Sequence, residues 1–523
     1  MKWRPNTLGQ FCCCLMLVWS ALSILTLLGG HFPLALLKDS VGYGDSYNLM
    51  TVEHFQATGQ LYPALTPEHP TPNLYSPLLY ISLAAANALV PSDSHFLGPR
   101  VFELISFLFC IVAAGLLARQ LIPVSNTFVL GLVLAASFSS MTFWVFQLRS
   151  DFPSIFLNLT SVYLLLRASK HSSLPLVALA GACAGLAIQF KFTMAAAAVA
   201  GLLWLLVLRR WSYAGIFIAS VVCIGAGGYL LFSILEPNML HNILVLAKMV
   251  PDGSGTLAML LQVLGEPVML FGIAAFLSLL PLLLTFRRNR YLLVALFGGL
   301  SFAMGALTSL QAGGNINYFY EAMFATVPFS VFGYCRLWSL RRHKTIPVLA
   351  IAILLSAILP GVLQARRAVL SSRYRVTDSN QRHDALRLAL RGSRLLSTIP
   401  DLTILTPDRY ITEPYLLHLL TLTKRTDLTP LTSMILQHQF DAIATQWADY
   451  SWRGVTHLDP SLREAIVDSY QPACRIGEAL FHLPPGDPGR IQDRLTKAGC
   501  HPEACGPGLP CPGLQVRQEL FSQ

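Results

Sequence analysis

The chain has 523 residues, of which 54% are hydrophobic and only 12% charged, with a mean hydropathy of +0.54. A soluble globular protein carries about twice that charge fraction, so much of this chain is built to face lipid. The formal charge of +10 does not indicate a nucleic-acid binder: the basic residues stand in short clusters between apolar runs, with no basic, aromatic-interleaved groove module.

Lys2 and Arg4 precede the first apolar stretch, Phe11–Gly30. It is long for a signal-peptide core and no small-x-small cleavage site follows, so it is read as an uncleaved first membrane helix. Further stretches of spanning length, about 17–25 residues, lie near 100–118, 124–146, 152–168, 174–190, 192–208, 212–235, 267–286, 291–310, 318–338 and 345–363, making eleven spans. Alternating sides place 14 of the 19 Lys and Arg residues before position 364 on one face, including Arg119, Arg167, Lys170, Arg209, Arg210 and Arg287. The positive-inside rule makes that face cytoplasmic. The acids of this region, among them Asp39, Asp45, Glu53, Glu103, Asp151, Glu236, Glu266 and Glu321, fall on or near the opposite face.

Ser76–Val90 is apolar but short, and Pro77 stands near its start. Were it to span, every later basic cluster would turn outward, so it is read as an interfacial helix. After Gly361 the composition changes. Residues 364–523 hold 18 of the 37 Lys and Arg residues and 16 of the 27 acids, and no spanning stretch. There Leu402–Leu405 and Asp441–Ala444 look like strands and Ser379–Leu396 like a helix. The expected fold is thus an α-helical polytopic membrane protein of about eleven transmembrane helices with its N-terminus inside. Its transmembrane domain covers 1–363, with interfacial helices in the first external loop (31–99), and a small external α/β domain covers 364–523.

Cys12, Cys13 and Cys14 read as packing residues of the first helix, with palmitoylation as the alternative. Cys474, Cys500, Cys505 and Cys511 lie where an oxidising compartment favours disulfides. Three pairings are open, and a zinc site using His501 is the other reading.

Ionisable residues at membrane depth usually have a partner or a task. Four external positions stand out. Asp45 lies in Val41-Gly42-Tyr43-Gly44-Asp45-Ser46-Tyr47, in the loop after the first helix. Arg149 and Asp151 occupy the tight turn Gln147–Pro153, Lys191 separates two helices, and Asn315 and Asn317 lie in the Gly313–Glu321 connection. Topology alone brings all four to one face.

Four ordered patterns carry a resemblance. They are the first-loop acid with its Gly59-Gln60-Leu61-Tyr62-Pro63 and Tyr75-Ser76-Pro77-Leu78-Leu79-Tyr80 continuation, the Leu148-Arg149-Ser150-Asp151 turn, the lone Lys191, and Gly313-Gly314-Asn315-Ile316-Asn317-Tyr318-Phe319. Over most of residues 1–365 the chain resembles the C-type glycosyltransferase superfamily, in the bacterial branch related to protein O-mannosyltransferases and the lipid A aminoarabinose transferase. The resemblance implies transfer of a sugar from a polyprenyl-phosphate or related lipid carrier to a glycan, lipid or protein acceptor outside a plasma membrane. Asp45, by its match to the first-loop acid, is then the general base that takes the acceptor's proton. Lys191 and Arg149, with Arg100 a weaker third, would stabilise the departing phosphate. Asp151 would orient Arg149 or contact the sugar, and Tyr47 and Asn317 join the substrate-binding set. Some relatives place a divalent metal between first- and second-loop acids, but no paired DxD occurs here and a metal is left unassigned.

Each residue also has a plainer reading. Asp45 fits a turn or helix N-cap beside Gly42 and Gly44. Arg149 with Asp151 fits a structural ion pair, and Lys191 fits a snorkelling side chain. Asn315 and Asn317 suit backbone satisfaction in a Gly-rich turn. Tyr43, Tyr47, Tyr62, Tyr75 and Tyr80 suit an interfacial aromatic belt as readily as a sugar-stacking surface. Asn158 opens an Asn-Leu-Thr sequon inside a predicted helix, so it is not read as a glycosylation site. As whole functions, a transporter or lipid-sugar flippase and a noncatalytic scaffold compete with the transferase. The first expects internal repeats and broken helices near the midplane, and neither is evident.

Overall fold

The computed structural model describes residues between 18 and 501, leaving out 19–20, 42–43, 67–71, 93, 124–125, 142–143, 246–254, 286–289, 311–313, 340–375, 377, 406–416, 418–419, 422–426, 447–458, 477–478 and 487–488. It forms two compact units, Met1–Tyr62 with Asn73–Thr377 and Pro63–Pro72 with Asp378–Gln523.

The first unit is helical. Leu97–Leu121, Trp211–Leu235 and Arg290–Ser309 are long and apolar enough to cross a membrane, and a bent pair, Thr256–Gly265 with Val268–Leu277, makes a fourth candidate. Among the described residues the other expected spans are shorter or more polar. Leu174–Phe190 and Ala196–Val207 are apolar but short because the chain leaves helical geometry around Lys191. Asp151–His171 has the length, and Ser154, Asn158 and Ser161 dilute its apolar character. The stretch 345–363, Cys12–Cys14 and Tyr43 lie outside the described residues.

The expected helix over 124–146 is interrupted. Helix Thr127–Ala135 gives way to 3₁₀ turns at Ser139–Met141 and Trp144–Phe146. The serines explain the break. Ser137 Oγ donates to the Leu134 carbonyl, and the Ser140 N–H and C=O are taken by Glu266 and Tyr320. Such bonds compete with the helical ladder. In the first loop, helices Asp45–Thr58 and Pro77–Leu89 stand where interfacial helices were expected. Pro77 starts the second, its missing N–H costing nothing in the first turn.

Small residues set the helix contacts. A Cβ on Gly181 would lie 2.5 Å from the Phe217 carbonyl oxygen, and one on Gly185 3.0 Å from the Gly225 nitrogen. Helices Leu174–Phe190 and Trp211–Leu235 therefore approach at backbone distance, as membrane helices do when small residues line the seam.

The second unit holds a four-stranded sheet in the order β1-β2-β4-β3, formed by β1 (Leu395–Ser397), β2 (Ala442–Gln446), β3 (Gln471–Ile476) and β4 (Ala479–Leu483). β1 pairs with β2 in parallel, and the other pairs are antiparallel. Two expectations are corrected here. The helix over Ser379–Leu396 stops at 390, because Gly392 at φ +73° turns the chain and Leu395–Leu396 enter β1. Leu402–Leu405 is not a strand, since Pro400 opens the short helix Pro400–Thr403 instead.

Cys474 and Cys500 form a disulfide, with Cα atoms 5.6 Å apart. That removes both from the zinc reading, and Cys505 and Cys511 lie outside the described residues.

His482 on β4 gives this unit a pH response. Its Nε2 shares a 2.9 Å hydrogen bond with Thr445 Oγ1, while the buried Nδ1 has no partner among the described residues. Burial lowers its pKa from 6.5 to about 4. A depressed histidine leaves the unfolded chain binding more protons below pH 6.5, so stability falls as the pH drops from about 6.5 to about 4. Opening of β4 in the full-length protein should rise about 20-fold between pH 7 and pH 5, beyond the intrinsic change in amide exchange. His482→Phe should remove most of that rise, and equal slopes in the two proteins would contradict it.

Candidate active site

Four connections meet at one place in the first unit. Asp45 opens helix Asp45–Thr58 and is fully buried. Gly44 precedes it at φ +92°, a conformation suited to glycine, and the Arg149 guanidinium lies over that glycine, 3.6 Å from where a Cβ would stand. Asp45 Oδ1 accepts the Leu148 N–H (3.0 Å) and Oδ2 accepts the Val41 N–H (3.1 Å). Asn48, one turn on, donates to the Leu148 carbonyl at 2.6 Å. The first loop is thereby stitched to the second through both backbone groups of one residue.

Asp151 begins the next helix and is buried with Lys191 and Asn317. Lys191 Nζ donates to Asp151 Oδ1 at 2.6 Å, and Asn317 Nδ2 donates to Oδ2 at 3.0 Å. The ammonium also lies 4.5 Å from the centre of the Tyr318 ring. Burial opposes the Lys191 charge, but Asp151 in contact outweighs it and holds the pKa above its ordinary value. Arg149 Nη1 donates to Tyr75 Oη at 2.7 Å, and its guanidinium lies 5.6 Å from the Trp144 ring centre.

Arg149, Asp151, Lys191 and Asn317 thus come from three connections to one cluster, with Asp45 bound to the same turn. Asp151 pairs with Lys191 rather than with Arg149, its expected partner as an orienting group. Tyr47 and Arg100 stand elsewhere. The Tyr47 hydroxyl donates to Asn73 Oδ1 at 3.1 Å inside a buried network with Thr51 and Leu61. Arg100 is fully buried and donates to the carbonyls of Leu34, Leu37 and Asp39, which shapes the chain leading into the first loop. Asn315 accepts the N–H of Ile316, the turn role its sequence context allowed. Asn158 is buried on its helix and donates to Glu321.

One carboxyl escaped notice as a site residue. Glu103 is fully buried on Leu97–Leu121, beside the backbone of Arg149. It interacts electrostatically with Arg149, Asp45 and Asp151. In the sequence it stood inside an apolar span, and helical spacing alone gave no sign that it faced this turn.

The oxygens of Asp45 and Asp151 already accept hydrogen bonds, and among the described residues no group of three His, Cys, Asp or Glu is placed to hold an ion.

A family profile described as dolichyl-phosphate-mannose-protein mannosyltransferase matches residues 75–225. Among solved structures, ArnT from Cupriavidus metallidurans bound to undecaprenyl phosphate superposes with a TM-score of 0.57 at 13% identity, covering 89% of this chain and 97% of that one. Its apo form superposes equally well. The chain therefore shares the ArnT fold over most of its length. The resemblance carried by the loops is borne out by this fold likeness and by the profile over residues 75–225, and the long apolar helices of the first unit make the chain a multi-pass membrane protein. An oligosaccharyltransferase from Archaeoglobus fulgidus aligns more loosely, with a TM-score of 0.45 at 12% identity over 90% of this chain and 73% of that one. No curated protein matches the sequence. Nothing in these likenesses favours a transporter.

Proposed function

We propose that the protein transfers a sugar from a polyprenyl-phosphate-linked donor to a hydroxyl of a glycan, lipid or protein acceptor on the external face of the membrane. The observation that carries this reading is the meeting of Asp45, Arg149, Asp151, Lys191 and Asn317 from separate connections within an ArnT-like fold. The ArnT structure with undecaprenyl phosphate supports a lipid phosphate as the carrier.

Asp45 is the general base. It takes the acceptor's proton as the acceptor oxygen attacks the anomeric carbon and the carbon–phosphate oxygen bond breaks. A positioned base of this kind contributes about 10²–10⁴-fold. The two N–H groups bonded to Asp45 aim the carboxylate. Arg149 and Lys191 meet the charge that grows on the departing phosphate. Asp151, itself fixed by Asn317, holds Lys191 in place and offsets part of its charge until the phosphate arrives.

The test is reconstitution of the full-length protein in liposomes with radiolabelled polyprenyl-phosphate sugars and envelope acceptors. Label is expected to pass to an acceptor only on the side where the donor sugar is exposed. Movement of intact donor across the bilayer without transfer would replace this reading with a flippase.

A further inference from the structure

Tyr75 lies in the first loop immediately before helix Pro77–Leu89 and is partly exposed. Its oxygen accepts the N–H of Arg149 Nη1 at 2.7 Å. No acceptor among the described residues takes its own proton. The residue is also fixed at its backbone. Tyr62 Oη donates to the Tyr75 carbonyl at 2.6 Å, and the Tyr75 N–H donates to Tyr80 Oη at 3.3 Å. The Tyr75 and Tyr80 rings meet edge to face at 6.4 Å, and both Tyr62 and Tyr80 are fully buried. A side chain held this way has little left to adjust except the direction of its O–H.

The surroundings say what the O–H meets. Arg149 is bonded to the phenol oxygen, and Lys191 and Tyr318 are both within electrostatic reach of Tyr75. A ligand oxygen beside this hydroxyl would therefore sit in the field of a guanidinium and an ammonium. An anionic oxygen gains most there. Donation by Arg149 into the phenol oxygen also polarises the O–H and makes it a better donor.

We propose that Tyr75 donates its O–H to the phosphate of the lipid carrier, as a third donor beside Arg149 and Lys191. The proposal rests on the lipid-phosphate reading above and adds a binding residue to it. Tyr75 also serves as the acceptor that fixes the angle of Arg149, so one phenol oxygen connects the cation to its anion.

The experiment measures binding of a sugar-free polyprenyl phosphate to the full-length protein in detergent. It compares wild type, Tyr75→Phe, and protein with 3-fluorotyrosine incorporated at position 75, below neutral pH so that the phenol stays protonated. Tyr75→Phe is expected to weaken binding about 10- to 100-fold, the worth of one hydrogen bond to a charged group. Fluorination makes the O–H a stronger donor and the oxygen a weaker acceptor, so binding should hold or tighten. Unchanged binding by Tyr75→Phe overturns the proposal and leaves the function standing. Weakening by both replacements shows that Tyr75 only holds Arg149, which also overturns it. A wild type that binds no polyprenyl phosphate removes the proposal together with the reading beneath it.

Discussion

Lys191→Met should abolish transfer and cost the fold about 3–5 kcal/mol, the penalty for removing one partner of a buried ion pair. Lys191 and Asp151 are both buried, and the ammonium is the one charge in contact with that carboxylate among the described residues. Asn317 would remain on Oδ2, but a single amide cannot replace a full charge. Stability and activity separate in the double variant. Lys191→Met with Asp151→Asn removes both charges and keeps a polar group for Asn317, so most of the lost stability should return. Transfer should not, because in the proposed chemistry Lys191 faces the departing phosphate. Thermal unfolding and transfer assays on the two variants check this. A double variant that regained transfer would reduce the pair to a structural bridge, the plainer reading open to the sequence.

Asp45→Asn is expected to lower transfer at least 100-fold. The substitution is less silent than its shape suggests. Both Asp45 oxygens accept backbone N–H groups, from Leu148 and from Val41. An asparagine can offer its oxygen to only one and turns an NH₂ towards the other. That leaves a buried donor facing a donor, at a cost of about 1–3 kcal/mol. Carrier binding must therefore be measured alongside transfer. If both fall together, the stitching of the two loops explains the loss. If binding persists while transfer falls, the loss belongs to the chemistry.

Asp151, Lys191 and Asn317 were legible in the sequence because charged and amide groups are costly in an apolar chain and stand out where helices break. Their mutual pairing was not, since topology places three connections on one face without saying which side chains touch. Tyr75 was legible only as one tyrosine among several at the edge of the apolar region, where a belt and a binding group look alike. The bond to Arg149 separates it from Tyr47, whose hydroxyl is used up inside the loop by Asn73. Glu103 was hidden by its span, and Ser137 to Ser140 broke a helix that hydropathy alone had continued. In the second unit, local signals outranked hydrophobic runs: Pro400 made a helix of an expected strand, and Gly392 ended a helix early.

The most direct test of the account is single-turnover transfer by Asp45→Asn protein that retains carrier binding. A preformed complex with radiolabelled polyprenyl-phosphate sugar is mixed with acceptor, and product is followed against the wild type. A burst of labelled acceptor is expected from the wild type, and a rate at least 100-fold slower from the variant, at matched carrier occupancy. Equal rates at matched occupancy would contradict the general-base role, leaving Asp45 as the residue that ties the first loop to the second.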